Sequence, residues 1–131
     1  MIPYGMQDIN QTDINSVVNA LQSDFLTQGP QVPKFEQALA EYTGAQYAVA
    51  LNSATSALHV ACLALGLGPG DCVWTSPNTF VASANCALYC GASVDFVDID
   101  PQTWCMSVEK LRKKLEHHQA TGLTLPNVLI P

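Results

Sequence analysis

Positive charge is scarce in this sequence. Five Lys and Arg stand against eleven Asp and Glu, a net charge of −6. That deficit argues against nucleic acid or an acidic membrane surface as a partner. No apolar run reaches the roughly 18 residues of a membrane span. The N-terminus lacks the basic stretch followed by an apolar one that marks a secretory signal. No CxxC is present, and the five cysteines, Cys62, Cys72, Cys86, Cys90 and Cys105, lie mostly in apolar segments. They are expected to be reduced thiols, used as small core residues in a cytoplasmic protein. Cys86 and Cys90 fall on one face of an expected helix, but His59, His117 and His118 stand at no ligand spacing to them, so no metal site is expected.

What is present is organised around Tyr47–Gly66, YAVALNSATSALHVACLALG. Tyr47–Leu51 reads as a short buried strand, Asn52–Ser56 as a small polar turn, and Ala57, Leu58, Ala61, Cys62 and Leu65 recur at helical spacing up to Gly66. A helix entered directly from a parallel strand points its free N–H groups, and the positive end of its dipole, at whatever lies over the strand's carboxyl end. Small residues at the mouth would let a phosphate approach, with hydroxyls from Ser53, Thr55 and Ser56. The plainer reading is that Ser53 only caps a helix packed on a sheet.

Before that unit, Thr12 or Asp13 is expected to cap a first helix with an Ile14, Val17, Val18, Leu21 stripe. Asp24–Pro30 has no periodicity and reads as a loop. Its Phe25 and Leu26 imply that it packs on the body or lines a pocket. Pro33 is expected to open a second helix, closed by Gly44. After the unit come strands at Cys72–Thr75, Val94–Ile99 and from Asn127. A helix capped by Asn78 or Thr79 runs to about Cys90, and another is capped by Ser107. Lys110, Arg112, Lys113 and Lys114 fall on the latter and read as a solvated outer face. The alternation β-α-β-α-β-α-β after two helices predicts an α/β fold with parallel strands and helical crossovers. Ligands then bind beyond the carboxyl ends of the strands, which gathers Asn52–Ser56, Ser76–Phe80 and Asp98–Asp100 around one crevice. Asp98 and Asp100 are taken as turn formers before Pro101. The final strand has no closing helix, so the chain is expected to be the first 131 residues of a longer one.

The segments DFLTQGP, FEQALAEYTGAQYAVALNSATSALHVA and TSPNTFVASANCALYCGASVDFVDID, in this order and spacing, resemble the pyridoxal-phosphate-dependent sugar aminotransferases of the DegT/DnrJ/EryC1/StrS family. The resemblance implies the N-terminal part of the fold type I (aspartate-aminotransferase-like) large domain. Residues 1–30 would be an N-terminal helix and substrate-site loop, and residues 31–131 the first part of the cofactor-binding domain. It implies that Ala54 and Thr55 hold the phosphate of pyridoxal 5′-phosphate and that Phe80 stacks on its ring, an interaction on the order of 1 kcal/mol. Tyr4, the loop Asp24, Phe25, Leu26 and Thr27, and Ala54 would border a nucleotide-sugar site. The family's lysine that bonds the cofactor, and the aspartate that pairs with its pyridinium nitrogen, are expected beyond Pro131. Lys34, Lys110, Lys113 and Lys114 match no part of that lysine motif. The implied reaction moves an amino group from L-glutamate to C4 of a UDP-linked 4-keto-6-deoxy-N-acetylhexosamine, towards pseudaminic acid, in a homodimer. Two alternatives stay open: a sugar dehydratase of the same fold, with histidine at the lysine position, and an inactive cofactor-binding fragment.

Overall fold

The computed structural model describes residues 5–131. It divides into two compact units, one ending at Ala50 and the other spanning Leu51–Pro131.

The first unit carries two helices. Helix α1 is Gln11–Leu21. Its cap is Asn10, not Thr12 or Asp13. The Asn10 side chain accepts from the Thr12 and Asp13 N–H groups, and the Asp13 carboxylate accepts from the Asn10 N–H at 2.9 Å, which closes a capping box. Two orphan donors are satisfied reciprocally in this way, an arrangement that a cap at Thr12 would forgo. Helix α2 is Gln31–Thr43, so Pro33 is its third residue rather than its first, and Gly44 ends it in the left-handed region (φ 71°). No residue of α1 or α2 is buried. The expected strand at Tyr47–Leu51 is not formed. The segment has no regular structure; its residues alternate between exposed and half-buried, and no neighbouring strand pairs with it among the described residues. A strand exists only where a second backbone offers a ladder. Here the Ala50 N–H donates instead to the Glu36 carboxylate at 2.8 Å.

The second unit is a three-stranded parallel sheet with helices. In chain order it holds α3 (Ala54–Ala64), β1 (Cys72–Thr75), α4 (Ala82–Tyr89), β2 (Ser93–Phe96), α5 (Val108–Thr121) and β3 (Val128–Ile130). The sheet order is β2-β1-β3, with Val73 opposite both Val94 and Val128. Strand β1 is central, and Val73, Trp74 and Thr75 are all fully buried, as expected of a parallel strand covered on both faces. Successive side chains alternate between those faces. Val73 joins Cys62, Leu67, Cys86, Ala87 and Ala92 in the core with α3 and α4. Trp74 points the other way, edge-on to the His118 ring (4.8 Å) with the Lys114 ammonium 4.5 Å from its centroid. Helix α4 ends at Gly91 (φ 79°), where the Ala92 N–H reaches back to the Ala87 carbonyl at 3.0 Å. A Cβ there would also meet the Pro69 ring at 3.2 Å, so conformation and space both favour glycine.

Three local expectations need correction in this unit. Helix α4 starts at Ala82 with Val81 as its cap and no side-chain cap bond. Thr79 and Asn78 are engaged elsewhere, with the Ser83 hydroxyl (3.1 Å) and the Trp104 carbonyl (3.3 Å) respectively. Strand β2 stops at Phe96 rather than Ile99, because its partner β1 ends at Thr75, opposite Phe96, and Pro77 has no N–H to continue the ladder; beyond it the Phe96 and Ile99 carbonyls accept from the ammonium groups of Lys114 (2.7 Å) and Lys110 (3.1 Å). The basic residues of α5 are therefore not all a solvated face. Lys110 pairs with Asp98 (2.5 Å) and Lys114 with Asp95 (2.6 Å), leaving the exposed Lys113–Glu109 pair to fit the expectation.

Candidate functional site

Ser53 is the N-cap of α3, and its hydroxyl oxygen accepts from the Ser56 N–H at 3.2 Å. The Ala57 N–H is taken by the Ser53 carbonyl at 3.0 Å. The N–H groups of Ala54 and Thr55, the first two of the helix, have no intrahelical acceptor by the geometry of a helix end. Helix α3 feeds β1 from its far end through the turn at residues 65–71, so its N-terminus lies at the carboxyl edge of the sheet. The loop after β1 carries Phe80 to the same edge, two residues ahead of α4. Connectivity thus places Ala54, Thr55 and Phe80 on the same edge of the unit. Phe80 is 74% exposed, and Ala54 is exposed beside the half-buried Thr55.

These residues fit the phosphate and ring of a pyridoxal cofactor. Two free N–H donors at the positive end of a helix dipole favour a dianion. Ala54 adds little bulk, Thr55 adds a hydroxyl, and Phe80 presents an unused flat face. A further unmet group lies at this edge. The Thr75 hydroxyl, at the carboxyl end of β1, is fully buried without a hydrogen-bond partner.

The expected single crevice is only partly formed. A hollow of 300 Å³ opens beyond β1 and β3, lined by Ser76, Asn78, Thr79, Trp104, Cys105, Met106 and Pro131. Asn52–Ser56, Phe80 and Asp98–Asp100 are not among its walls. The aspartates are spent on structure. The hydrogen bond from Lys110, then the Ile99 N–H and the Lys110 charge, hold the Asp98 carboxyl below its usual range. The Gln102 and Thr103 N–H groups do the same for Asp100. Sequence reasoning missed Trp104 and Thr75. Trp104 sits at φ 62°, which its residue type does not announce, though the Asp100-Pro101 turn before it was legible.

In the first unit, Asp24, Phe25, Leu26 and Thr27 lie in the loop between α1 and α2. Phe25 and Leu26 are 64% and 70% exposed and line a hollow of 260 Å³ with Val17, Leu21 and Val32. Tyr4 lies outside the described residues. Burial, and then the hydrogen bond with Cys86, push the Cys62 thiol up to about 11. The five cysteines are free thiols, and among the described residues no cluster of metal-ligating side chains forms. Nor is any described helix long and apolar enough to cross a membrane.

A parallel sheet with helix N-termini gathered at its carboxyl edge is the general ligand-binding arrangement of α/β folds, and solved aminotransferases share it with this chain. A Streptococcus pneumoniae protein, Spr1654, described as a sugar aminotransferase and solved in its PLP form, superposes with a TM-score of 0.81. It is 37% identical over 86% of this chain and 29% of its own. NtdA from Bacillus subtilis with bound cofactor PMP gives 0.73 at 31% identity, over 92% of this chain and 26% of its own. The chain belongs to the DegT/DnrJ/EryC1/StrS aminotransferase family, whose model matches residues 7–123. Among curated relatives, a UDP-4-amino-4,6-dideoxy-N-acetyl-beta-L-altrosamine transaminase of Campylobacter jejuni is 52% identical over 99 residues, 76% of this chain and 26% of that protein. The chain thus spans about a quarter of the length of such relatives. The cofactor of this fold and family is pyridoxal 5′-phosphate, present as such or as pyridoxamine phosphate in the solved relatives.

Proposed function

We propose that this chain forms part of a nucleotide-sugar transaminase that moves an amino group from L-glutamate to C4 of a UDP-linked 4-keto-6-deoxy-N-acetylhexosamine, on the way to pseudaminic acid. The observation that carries the reading is the 52% identity over 99 residues with a transaminase of that product class. It is supported by the uncommitted helix end at Ala54 and Thr55.

On this reading Ala54 and Thr55 bind the cofactor phosphate through their N–H groups and the Thr55 hydroxyl. Ser53 keeps the first turn in register by holding the Ser56 N–H. Phe80 lies against the ring and fixes its plane, which limits the directions from which a substrate reaches it. When bound, the cofactor supplies the electron sink through which nitrogen leaves one substrate and joins the other. The lysine and aspartate that complete the site belong to the remainder of the enzyme. Tyr4, Asp24, Phe25, Leu26, Thr27 and Ala54 border the nucleotide sugar. The enzyme works as a cytoplasmic homodimer.

The test supplies the intact enzyme with pyridoxal phosphate, L-glutamate and the keto sugar. Release of 2-oxoglutarate in step with loss of the ketone is expected. Loss of the ketone without 2-oxoglutarate would sink the reading.

A further inference from the structure

We infer that the hydroxyl pair Thr79–Ser83 is a clamp that positions Phe80, and with it the plane of the cofactor ring; this rests on the reading of Phe80 as the cofactor platform given above. The two hydroxyls share a hydrogen bond at 3.1 Å, and they stand four residues apart, so the bond brackets Phe80, Val81 and Ala82. It is made in place of another. A threonine at a helix start serves that helix best by accepting from a free backbone N–H of the first turn. Helix α4 has no such side-chain bond, and Val81 stands at its cap position. The Thr79 hydroxyl forgoes the cap and reaches past Phe80 in the sequence to the Ser83 side chain instead.

Ser83 is suited to hold such a clamp. It is buried in the first turn of α4. Its N–H donates to the Phe80 carbonyl at 3.0 Å, and its carbonyl accepts from the buried Cys86 thiol at 3.4 Å. One buried residue thus fixes the backbone of Phe80 and the side chain of Thr79 together. The other end of the loop is tied as well. The Val97 N–H donates to the Thr75 carbonyl at 2.9 Å. The Ser76 hydroxyl accepts from the Asn78 N–H at 3.3 Å, and the Asn78 amide donates to the Trp104 carbonyl at 3.3 Å. A group that fixes a ligand's plane must be held to within about 0.5 Å and 10–20°, and on a loop that precision comes from supporting hydrogen bonds. Every bond in this set joins two residues of the second unit, so the clamp is closed by the unit itself.

The test is titration of the intact apoenzyme with pyridoxamine 5′-phosphate, which reads affinity, together with the circular dichroism that the bound ring acquires, which reads how firmly it is oriented. Thr79→Val and Ser83→Ala each remove one hydroxyl and leave the Ser83 N–H bond to Phe80 in place. Each is expected to raise Kd about fivefold, the cost of ordering one freed side chain on binding, and to weaken the induced dichroism. Thr79→Ser keeps the hydroxyl and binds as wild type does. The double variant loses no more than either single one, since the two hydroxyls act as one pair. In a Phe80→Ala background neither substitution changes Kd, because the clamp acts only through that ring. Affinity and dichroism unchanged in both single variants would overturn the clamp alone, even if their melting temperatures fall. So would a loss that persists in the Phe80→Ala background, which would mean direct contact with the cofactor. If Phe80→Ala itself binds as tightly as wild type, the platform reading fails, and the clamp with it.

Discussion

Replacing Phe80 by alanine separates a cofactor platform from a core residue, because the two roles predict opposite patterns of loss. The ring is 74% exposed, so the fold uses about a quarter of it. A fully buried Phe→Ala change costs about 3–5 kcal/mol, which scales here to about 1 kcal/mol of stability. Stacking on the cofactor would remove one ring face from water, about half of the ~150 Å² that a buried aromatic contributes. At ~25 cal/mol per Å² that stabilises the complex by about 2 kcal/mol, and the ring–ring geometry adds about 0.5–1.5 kcal/mol. Ordering an exposed loop side chain offsets about 1 kcal/mol of this. The net is about 2 kcal/mol, or roughly thirtyfold in Kd. The assay is titration of the intact apoenzyme with pyridoxamine 5′-phosphate, which forms no covalent bond to lysine and so reports the cradle alone. Phe80→Tyr keeps the face and should bind as wild type does. A Kd within threefold of wild type for Phe80→Ala, at an unchanged melting temperature, would refute the platform. A collapse in melting temperature would show Phe80 to be a core residue.

The Thr75 hydroxyl is buried without a partner, so Thr75→Val should be neutral or stabilising by up to about 1 kcal/mol in chemical denaturation. A loss above about 1 kcal/mol would reveal a hydrogen-bond partner. Burial works against the Asp95 carboxylate. The hydrogen bond from Lys114, the Phe96 N–H and the charges of Lys114 and His118 outweigh it and hold its pKa below the usual value. A depressed folded-state pKa gives stability that is present above the unfolded value of about 3.9 and is lost as pH falls through the folded value. With the Asp95 side chain 49% exposed, Asp95→Asn should cost only about 0.5–1 kcal/mol at neutral pH. Thermal melts of the two proteins should converge on acidification below the folded value; a gap that persists in acid would mean the pair is not its source. In a thiol titration of the native enzyme Cys105, which is exposed, should react first. Cys62 and Cys86, buried and with the Cys62 thiol pushed up to about 11, should stay silent until denaturant is added; a fast reaction at either would contradict the burial.

What was legible in the sequence was local chemistry. Ser53 and Ser107 were readable as caps because a hydroxyl beside a helical stripe acts within one turn, and both cap as expected. The central strand was readable because an apolar run between turn signals has few other outcomes. Non-local relations were not readable. Tyr47–Leu51 has the composition of a strand, yet pairing needs a second backbone that the segment itself does not specify. The run VDFVDI overshot because the ladder ends with its partner, β1, at Thr75, more than twenty residues away in sequence. The ammonium groups of Lys110 and Lys114 defeated the solvated-face reading of α5, since a lysine stem long enough to reach back over Trp74 looks the same in sequence as one that points to water. At the site, the Ala54–Thr55 helix end followed from helix physics, and the roles of Phe80 and of Asp24–Thr27 came from family resemblance alone. Trp104 was missed because a left-handed tryptophan is set by Asp100 and Asn78 rather than by its own preferences.

The most direct test of the transaminase account follows the nitrogen itself. Intact enzyme is incubated with 15N-labelled L-glutamate and the UDP-linked 4-keto sugar, and the product is read by NMR. The account predicts 15N bonded to C4 of the sugar, with one 2-oxoglutarate formed for each amine. A sugar product that has lost water and carries no label would contradict it.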